Sequence, residues 1–137
     1  MLRHSAYDGG YVYNLLGGIE LPVGGTKNHL ISFDVKMTFA GGNRYTPIDI
    51  QQSILSQDAV YIDSLAFSNQ FRDYQKIDFK ISYRINSKHV SHYFFMHIEN
   101  IFNRKNVLQE VYNDNKQAIT QDYQLGLFPY GGYRIEF

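Results

Sequence analysis

The sequence contains no cysteine and no tryptophan, and it has only three prolines. Without cysteine, disulfide frameworks, Cys-based zinc sites and thiol catalysis are all excluded. Basic and acidic residues balance at 13 each, so the chain lacks the excess positive charge that indicates a nucleic-acid partner. It also lacks a run of about 18 apolar residues, as a transmembrane helix requires. Site chemistry must therefore come from histidine, carboxylates, hydroxyls and aromatic rings.

Aromatic residues are abundant, with 12 tyrosines and 10 phenylalanines, whereas charged residues make up only 19% of the chain. This composition favours a β protein. Apolar residues recur at every second position, which is the period of a β-strand. In the fourth alternating segment, His92 shares the apolar face with Phe94, while Tyr93 and Phe95 fall on the other face. The alternation predicts strands over residues 11–21, 31–39, 77–85, 89–102 and 123–137.

The connections between these strands alternate in length, short at 22–28 and 86–88 and long at 41–72 and 103–122. In the first long connection, Thr46 and Pro47 resemble a helix cap followed by proline at the first helical position, which predicts a short helix over 47–55. In the second, residues 107–112 and 117–124 flank a polar turn and predict a hairpin. Pro129 and Gly131 indicate a bend or bulge in the last strand.

Period-two alternation is typical both of a soluble sheet over a core and of a membrane β-barrel whose apolar face meets lipid. A membrane barrel adds aromatic girdles, a polar lumen, short turns at one end and long loops at the other. The sequence has these features, with Tyr11, Tyr13 and Phe39 as outer girdle residues and Tyr83 at the inner end. A soluble β-barrel or sandwich that binds a small apolar ligand remains the alternative, because its surface would show a similar pattern.

The last strand stops on an aromatic residue, whereas the ends of soluble chains usually fray in water. Gly132, Tyr133, Ile135 and Phe137 resemble the C-terminal β-signal of bacterial outer-membrane barrels, which the barrel-assembly machinery reads. A further resemblance, to the end of a TonB-dependent outer-membrane receptor of the Bacteroidota type, covers residues 11–137. Its matching stretches are residues 40–49 (AGGNRYTPID), 78–86 (DFKISYRIN), 99–107 (ENIFNRKNV), 123–129 (YQLGLFP) and 133–137 (YRIEF).

The resemblance implies an antiparallel transmembrane β-barrel of 22 strands with a plug domain in its lumen. It implies uptake of a scarce solute across the cell outer membrane, no enzymatic activity and no cofactor. The implied partners are outer-membrane lipid, the remaining barrel and plug, the barrel-assembly machinery, and the energy-coupling TonB protein through a missing N-terminal part. A C-terminal strand that ends on the periplasmic side places the short turns there and the two long loops outside.

About five strands do not close a membrane barrel, since the smallest single-chain barrels use eight. We therefore expect residues 1–137 to be the C-terminal part of a receptor barrel, an incomplete domain without its plug. The same truncation would explain why the first residues do not resemble an export signal. The pattern does not identify the imported ligand.

Few residues suggest a binding or catalytic site. In the first long loop, Arg44, Tyr45, Tyr61 and Phe67 are candidates for contact with a sugar or peptide, although packing between loops would use the same residues. Arg104 and Lys105 suit either lipopolysaccharide phosphates or a simple turn. His89 and His97 share a strand face but lie too far apart for one metal ion. Ser91 with His92, or Asp34 with a nearby serine, could belong to a hydrolase such as an outer-membrane lipase, but the sequence has neither a nucleophile elbow nor the ordered spacing of a triad.

Overall fold

The computed structural model describes residues 4–25 and 28–137. Residues 1–3 lie outside the described part, as do Thr26 and Lys27 of the predicted short turn. The chain is mostly β-structure, and its sheets are antiparallel, which confirms the predicted all-β class. The strands are β1 (Val12–Pro22), β2 (His29–Ala40), β3 (Arg44–Tyr45), β4 (Asn69–Gln70), β5 (Tyr74–Asn86), β6 (Ser91–Glu99), β7 (Val107–Asn113), β8 (Ala118–Tyr123) and β9 (Phe128–Glu136), with one α-helix, α1 (Ile50–Ser56).

The chain divides into two compact units. The first, which we call the loop unit, comprises Met1–Val12, Phe39–Gln75 and Lys105–Leu125. The second, the sheet unit, comprises Tyr13–Thr38, Lys76–Arg104 and Gly126–Phe137. None of the helices in the described ranges is long and apolar enough to cross a bilayer.

Five strands form the main sheet in the order β1-β2-β5-β6-β9. Along β5 and β6 the pairing runs from Phe79 opposite Ile98 to Asn86 opposite Ser91. Because side chains alternate across a strand, this register gathers apolar residues on one face and polar residues on the other. Tyr83 pairs with Phe94 on the first face, which we call the apolar face. Lys80 pairs with His97 on the second, the polar face. The predicted facing of the fourth strand is therefore confirmed.

Two predicted strand boundaries are wrong. The fourth strand spans Ser91–Glu99 rather than residues 89–102, because Asn100 adopts a left-handed conformation with φ 50° and turns the chain. The segment predicted as one strand from residue 123 is two strands, because Tyr123 ends β8 and Phe128 begins β9. Between them, the Leu127 amide donates to the Asn103 side chain over 3.0 Å rather than to a neighbouring strand.

The last strand of the sheet is regular where a bend or bulge was expected. Pairing between β6 and β9 continues without a shift from Ser91 opposite Glu136 to Glu99 opposite Phe128, through Pro129 and Gly131. Strand β9 is an edge of the sheet, where proline is tolerated because one side of the strand has no partner in the sheet.

The predicted hairpin in the second long connection is confirmed. Strands β7 and β8 pair from Val107 opposite Tyr123 to Asn113 opposite Ala118, and a 3-10 turn joins them at Asp114–Lys116. The Asn113 side chain caps this turn by accepting a hydrogen bond from the Lys116 amide over 3.1 Å. Such local side-chain bonds are what favour asparagine at turns.

The short helix exists, but it starts three residues later than predicted. Its N-cap is Asp49, whose Oδ1 accepts hydrogen bonds from the amides of Gln51 and Gln52 at 3.0 and 3.1 Å. Thr46, the predicted cap, instead accepts a hydrogen bond from the Phe67 amide over 3.1 Å. A carboxylate at the cap satisfies amides that the helix leaves free, so Asp49 sets the boundary.

Candidate functional site

The loop unit contains an open groove of about 590 Å³, which we call the aromatic groove. Its walls come from the N-terminal segment, from both sides of the first long loop and from strand β7. Five of its large side chains are aromatic, and the others are polar or charged apart from Leu108. The lining residues are Ala6, Tyr7, Asn43, Arg44, Tyr45, Thr46, Tyr61, Asp63, Ala66, Phe67, Phe71, Leu108, Gln109 and Glu110.

All four loop residues proposed from the sequence as ligand contacts line this groove: Arg44, Tyr45, Tyr61 and Phe67. Arg44 and Tyr45 form β3, which pairs with Gln70 and Asn69 of β4. The pairing is antiparallel, so it folds the long loop back on itself and brings its two ends together. Residues that are more than twenty positions apart in sequence thereby share one surface.

Tyr45 stacks on Phe71, a residue that the sequence reasoning missed. The two ring centroids are 4.1 Å apart and the ring planes differ by 9°. Offset stacking of aromatic pairs contributes about 1 kcal/mol beyond buried area, so the stack fixes one wall of the groove. Sequence alone gave little signal for this pair, because strands of two residues are too short to show a period.

Hydrogen bonds of Ser53 hold the backbone next to Tyr61, which also lines the groove. Ser53 is fully buried, and its hydroxyl donates to the Asp49 carbonyl over 2.7 Å and accepts from the Val60 amide over 2.9 Å. Beside it, Ile48 forms an isolated bridge with Tyr61. These contacts fix the backbone of Tyr61, while its side chain stays 51% exposed towards the groove and solvent.

Arg44 is held by the N-terminal segment rather than left free in the groove. Its Nε donates to the Asp8 carbonyl over 3.3 Å and lies 3.7 Å from the Asp8 carboxylate. The Asp8 carboxylate also bonds to His4. The one arginine of the groove is therefore neutralised by a carboxylate outside it.

Two carboxylates line the groove, those of Asp63 and Glu110. Neither has a Lys, Arg or His nitrogen within ion-pair distance among the described residues. Glu110 accepts a long hydrogen bond of 3.4 Å from the Gln121 side-chain amide. The groove therefore combines aromatic surface with a net negative charge.

The polar face of the main sheet holds a second arrangement, around the ring of Tyr93. Three cations lie near this ring, with Lys80 Nζ at 5.7 Å from its centroid, and the guanidinium carbons of Arg84 and Arg134 at 5.4 and 5.0 Å. Arg134 also pairs with Glu136 at 2.7 Å. A cavity of about 540 Å³ beside Tyr93 is lined partly by carboxylates, so the charges there are mixed.

The proposed girdle residues occupy different surroundings. The Tyr11 hydroxyl, in the loop unit, donates to Asp73 over 2.6 Å. Tyr13 is exposed on β1, and Phe39 lies next to the end of β2. Tyr83, on the apolar face of β5, is hydrogen-bonded to His29 Nδ1 over 2.8 Å.

The four residues of the proposed β-signal lie at the sheet edge. Gly132 faces the Phe95 ring so closely that a Cβ would approach ring carbons to 2.8 Å. Tyr133 stacks on Phe94, and Ile135 pairs with His92. Phe137 follows β9 and is 99% exposed.

The histidines and hydroxyls considered from the sequence do not form a catalytic arrangement among the described residues. Ser91 lies on the polar face and donates to the Asn86 side chain over 3.0 Å. His92 lies on the apolar face, where it is hydrogen-bonded to Tyr133. Within residues 4–25 and 28–137, no cluster of three or more His, Asp or Glu side chains is placed to hold a metal ion. Comparisons with protein-family models, with curated proteins and with solved structures gave no match.

Proposed function

We propose that this chain is the C-terminal part of a TonB-dependent outer-membrane receptor, contributing barrel wall and loops to the energy-coupled uptake of a scarce solute. In this proposal the main sheet is a section of the barrel, its apolar face contacts lipid and its polar face lines the lumen. The role is that of a transporter component, without enzymatic activity. The proposal is supported by the distribution of apolar side chains, by their spacing and by the polar contacts at one end of the strands.

The observation that carries the proposal is the exposure of the apolar residues. Although 44% of the chain is hydrophobic, Ile48 is the one hydrophobic residue of the described ranges that is almost fully buried, at 6% exposure. Ile48 lies in the loop unit, not in the main sheet. Apolar side chains of β1, β6 and β9 are instead among the exposed ones, such as Leu15, Met96 and Ile135. Exposed apolar surface on this scale marks contact with lipid or with other protein.

The length of the apolar face supports lipid as the contact. Phe39 and His29 lie ten residues apart on β2, which is roughly 33 Å along a strand. A strand tilted by about 40°, as in membrane barrels, would span roughly 25 Å across the bilayer over that length. This value matches the height of the apolar band of an outer-membrane barrel.

Histidine–tyrosine pairs at the short-turn end of the apolar face support the same placement. His29 is hydrogen-bonded to Tyr83 over 2.8 Å, and His92 to Tyr133 over 2.7 Å. Each pair satisfies polar atoms that would otherwise be costly to place next to hydrocarbon. Amphipathic rings of this kind belong at the boundary between lipid and water.

Both outer strands of the sheet are open edges. Strands β1 and β9 each have one neighbour in the five-stranded sheet, and every residue of both strands is exposed. Unpaired strand edges do not occur in the hydrocarbon of a bilayer, because nothing there satisfies the backbone groups. In the proposed receptor, further barrel strands pair with these edges.

Single cysteines provide a test, since the chain has none of its own. We would place cysteine at Phe79, Lys80, Ile81 and Ser82 in turn, attach a small environment-sensitive fluorophore, and refold each full chain in micelles of a brominated non-ionic detergent. Positions 79 and 81 lie on the apolar face, so bromine should quench them strongly. Positions 80 and 82 lie on the polar face of the same strand and serve as matched controls, with weak quenching.

Equal quenching at all four positions would contradict the lipid-facing sheet. A monomeric chain that melts cooperatively in buffer without detergent would favour the soluble barrel or sandwich that binds an apolar ligand.

The receptor identity has a separate test in the DNA flanking the gene. We expect an in-frame upstream extension that encodes further alternating strands and a plug domain, and an upstream stop codon without one would contradict this identity.

A further inference from the structure

We propose that the aromatic groove of the loop unit binds a small organic cation, such as a quaternary ammonium group. The groove's part in uptake rests on the proposed function above, whereas binding of a cation does not. Three observations of the loop unit lead to this ligand class. They are the charge that remains in the groove, the aromatic surface next to it, and the restraint of the arginine.

The charge count of the groove is negative. Arg44 is the one cation among its lining residues, and Asp63 and Glu110 are the two carboxylates. Asp8, outside the lining, neutralises Arg44 through the 3.7 Å contact. Two negative charges are therefore left without a cationic partner among the described residues. An anionic ligand would be repelled by them, and a neutral ligand would leave them uncompensated.

Aromatic side chains provide the second half of a cation site. The faces of aromatic rings carry partial negative charge and attract ammonium groups, most strongly those that are weakly hydrated. Five rings line the groove, and two of them, Tyr7 and Tyr61, are 89% and 51% exposed. The stack of Tyr45 on Phe71 holds two more rings in place before any ligand arrives. A cation with an apolar surface can contact the ring faces and also compensate the charge of the carboxylates.

The restraint of Arg44 prevents it from competing for this site. Its guanidinium is engaged by the Asp8 carbonyl at 3.3 Å as well as by the carboxylate. The Arg44 amide donates to the Ala6 carbonyl over 3.0 Å, which anchors the N-terminal segment against β3. Without this anchor the arginine would be free to pair with Asp63 or Glu110 and to neutralise the groove from within.

Choline and its neutral isostere 3,3-dimethylbutan-1-ol provide a matched pair of probes, because they differ in charge and hardly in shape. With the full chain refolded in non-ionic detergent micelles, titration calorimetry should give a Kd for choline about tenfold lower than for the neutral alcohol. Glu110→Gln and Asp63→Asn should each weaken choline binding about threefold, and raised salt should weaken it further. Glu20→Gln removes a charge on β1, outside the groove, and is the control that leaves binding unchanged.

Tyr61→Leu tests the rings and should weaken choline about threefold while the alcohol is little affected. Equal affinity for choline and the alcohol would overturn the proposal, and so would the binding of maltose in place of choline, which would mark a saccharide groove. Absence of choline binding by a chain that keeps its β circular dichroism would also overturn it. The bromine-quenching pattern is measured separately, so failure of the groove and failure of the membrane assignment are distinguishable.

Discussion

The turn that follows β6 depends on Asn100, and we predict that Asn100→Ala strongly destabilises the sheet unit. Asn100 is 1% exposed and has a φ of 50°. Its side chain donates to the Arg104 carbonyl and accepts from the Arg104 amide, both at 2.9 Å. Its own amide donates to Asp78 Oδ1, also at 2.9 Å. Asn100 thus closes the turn and connects it to β5.

The size of the effect follows from these contacts. Alanine loses the two side-chain hydrogen bonds, which contribute about 1 kcal/mol each. It also has to adopt a left-handed conformation that asparagine and glycine accept more easily, at a cost of about 1 kcal/mol. The expected loss is therefore about 3 kcal/mol for Asn100→Ala. Asn100→Gly removes the same hydrogen bonds without the conformational cost, so about 2 kcal/mol is expected.

Urea unfolding of the full chain in detergent micelles, followed by the fluorescence of its 12 tyrosines, measures these values. Asn115→Ala, at the exposed turn between β7 and β8, is the control and should change stability by less than about 0.5 kcal/mol. The reasoning is refuted if Asn100→Ala is as stable as the unmodified chain, or if the glycine variant is less stable than the alanine variant.

Three further changes have defined outcomes. Phe137→Ala in the proposed intact receptor should slow barrel insertion, because the proposed β-signal loses its aromatic end; unchanged levels of heat-modifiable barrel would contradict that role. His92→Phe should cost about 1 kcal/mol, and the double variant with Tyr133→Phe should cost less than the sum of the two single changes, since both remove one bond. Burial and then the Asp114 carboxylate raise the pKa of Tyr112, whose buried hydroxyl has no hydrogen-bond partner among the described residues. Stability should therefore fall as pH rises above the usual tyrosine range, and Tyr112→Phe, measured by urea unfolding across that range, should remove this loss.

The strands were predictable because their alternation is long and regular. Five apolar residues at every second position, as in β2 and β5, fix both the strand and the face of each side chain. The ends were less predictable where side chains bond to the backbone. Asp49, not Thr46, is the helix cap. Side-chain hydrogen bonds of Asn100 and Asn103 to the backbone lie where the neighbouring strands end earlier than predicted. Such ends depend on partners that lie outside the strand or helix itself.

The aromatic groove was predictable only in part. The sequence predicted Arg44, Tyr45, Tyr61 and Phe67 as ligand contacts because they lie in a long loop. All four line the groove. Phe71 was missed because its place depends on the pairing of β3 with β4, which leaves no periodic signal in two residues. The charge of the groove depends on Asp8, which pairs with Arg44 across 36 positions of sequence. A contact of that range is set by tertiary structure.

Alternation alone does not decide which medium meets each face of the main sheet, but the side-chain partners on the two faces differ. On the polar face, charges contact one another: Lys76 pairs with Glu99 at 2.5 Å and lies 3.5 Å from Asp78. On the apolar face, the polar atoms of His29 and His92 are hydrogen-bonded to tyrosines. His97 on the polar face is hydrogen-bonded to Tyr130 over 2.7 Å in the same way, so such a pair does not by itself identify the medium. Along β5 and β6 the apolar face carries no Lys, Arg, Asp or Glu, and this absence of charge is the feature that suits it to lipid. Labels beside His29 and His92 should therefore be quenched by bromine as strongly as those at Phe79 and Ile81.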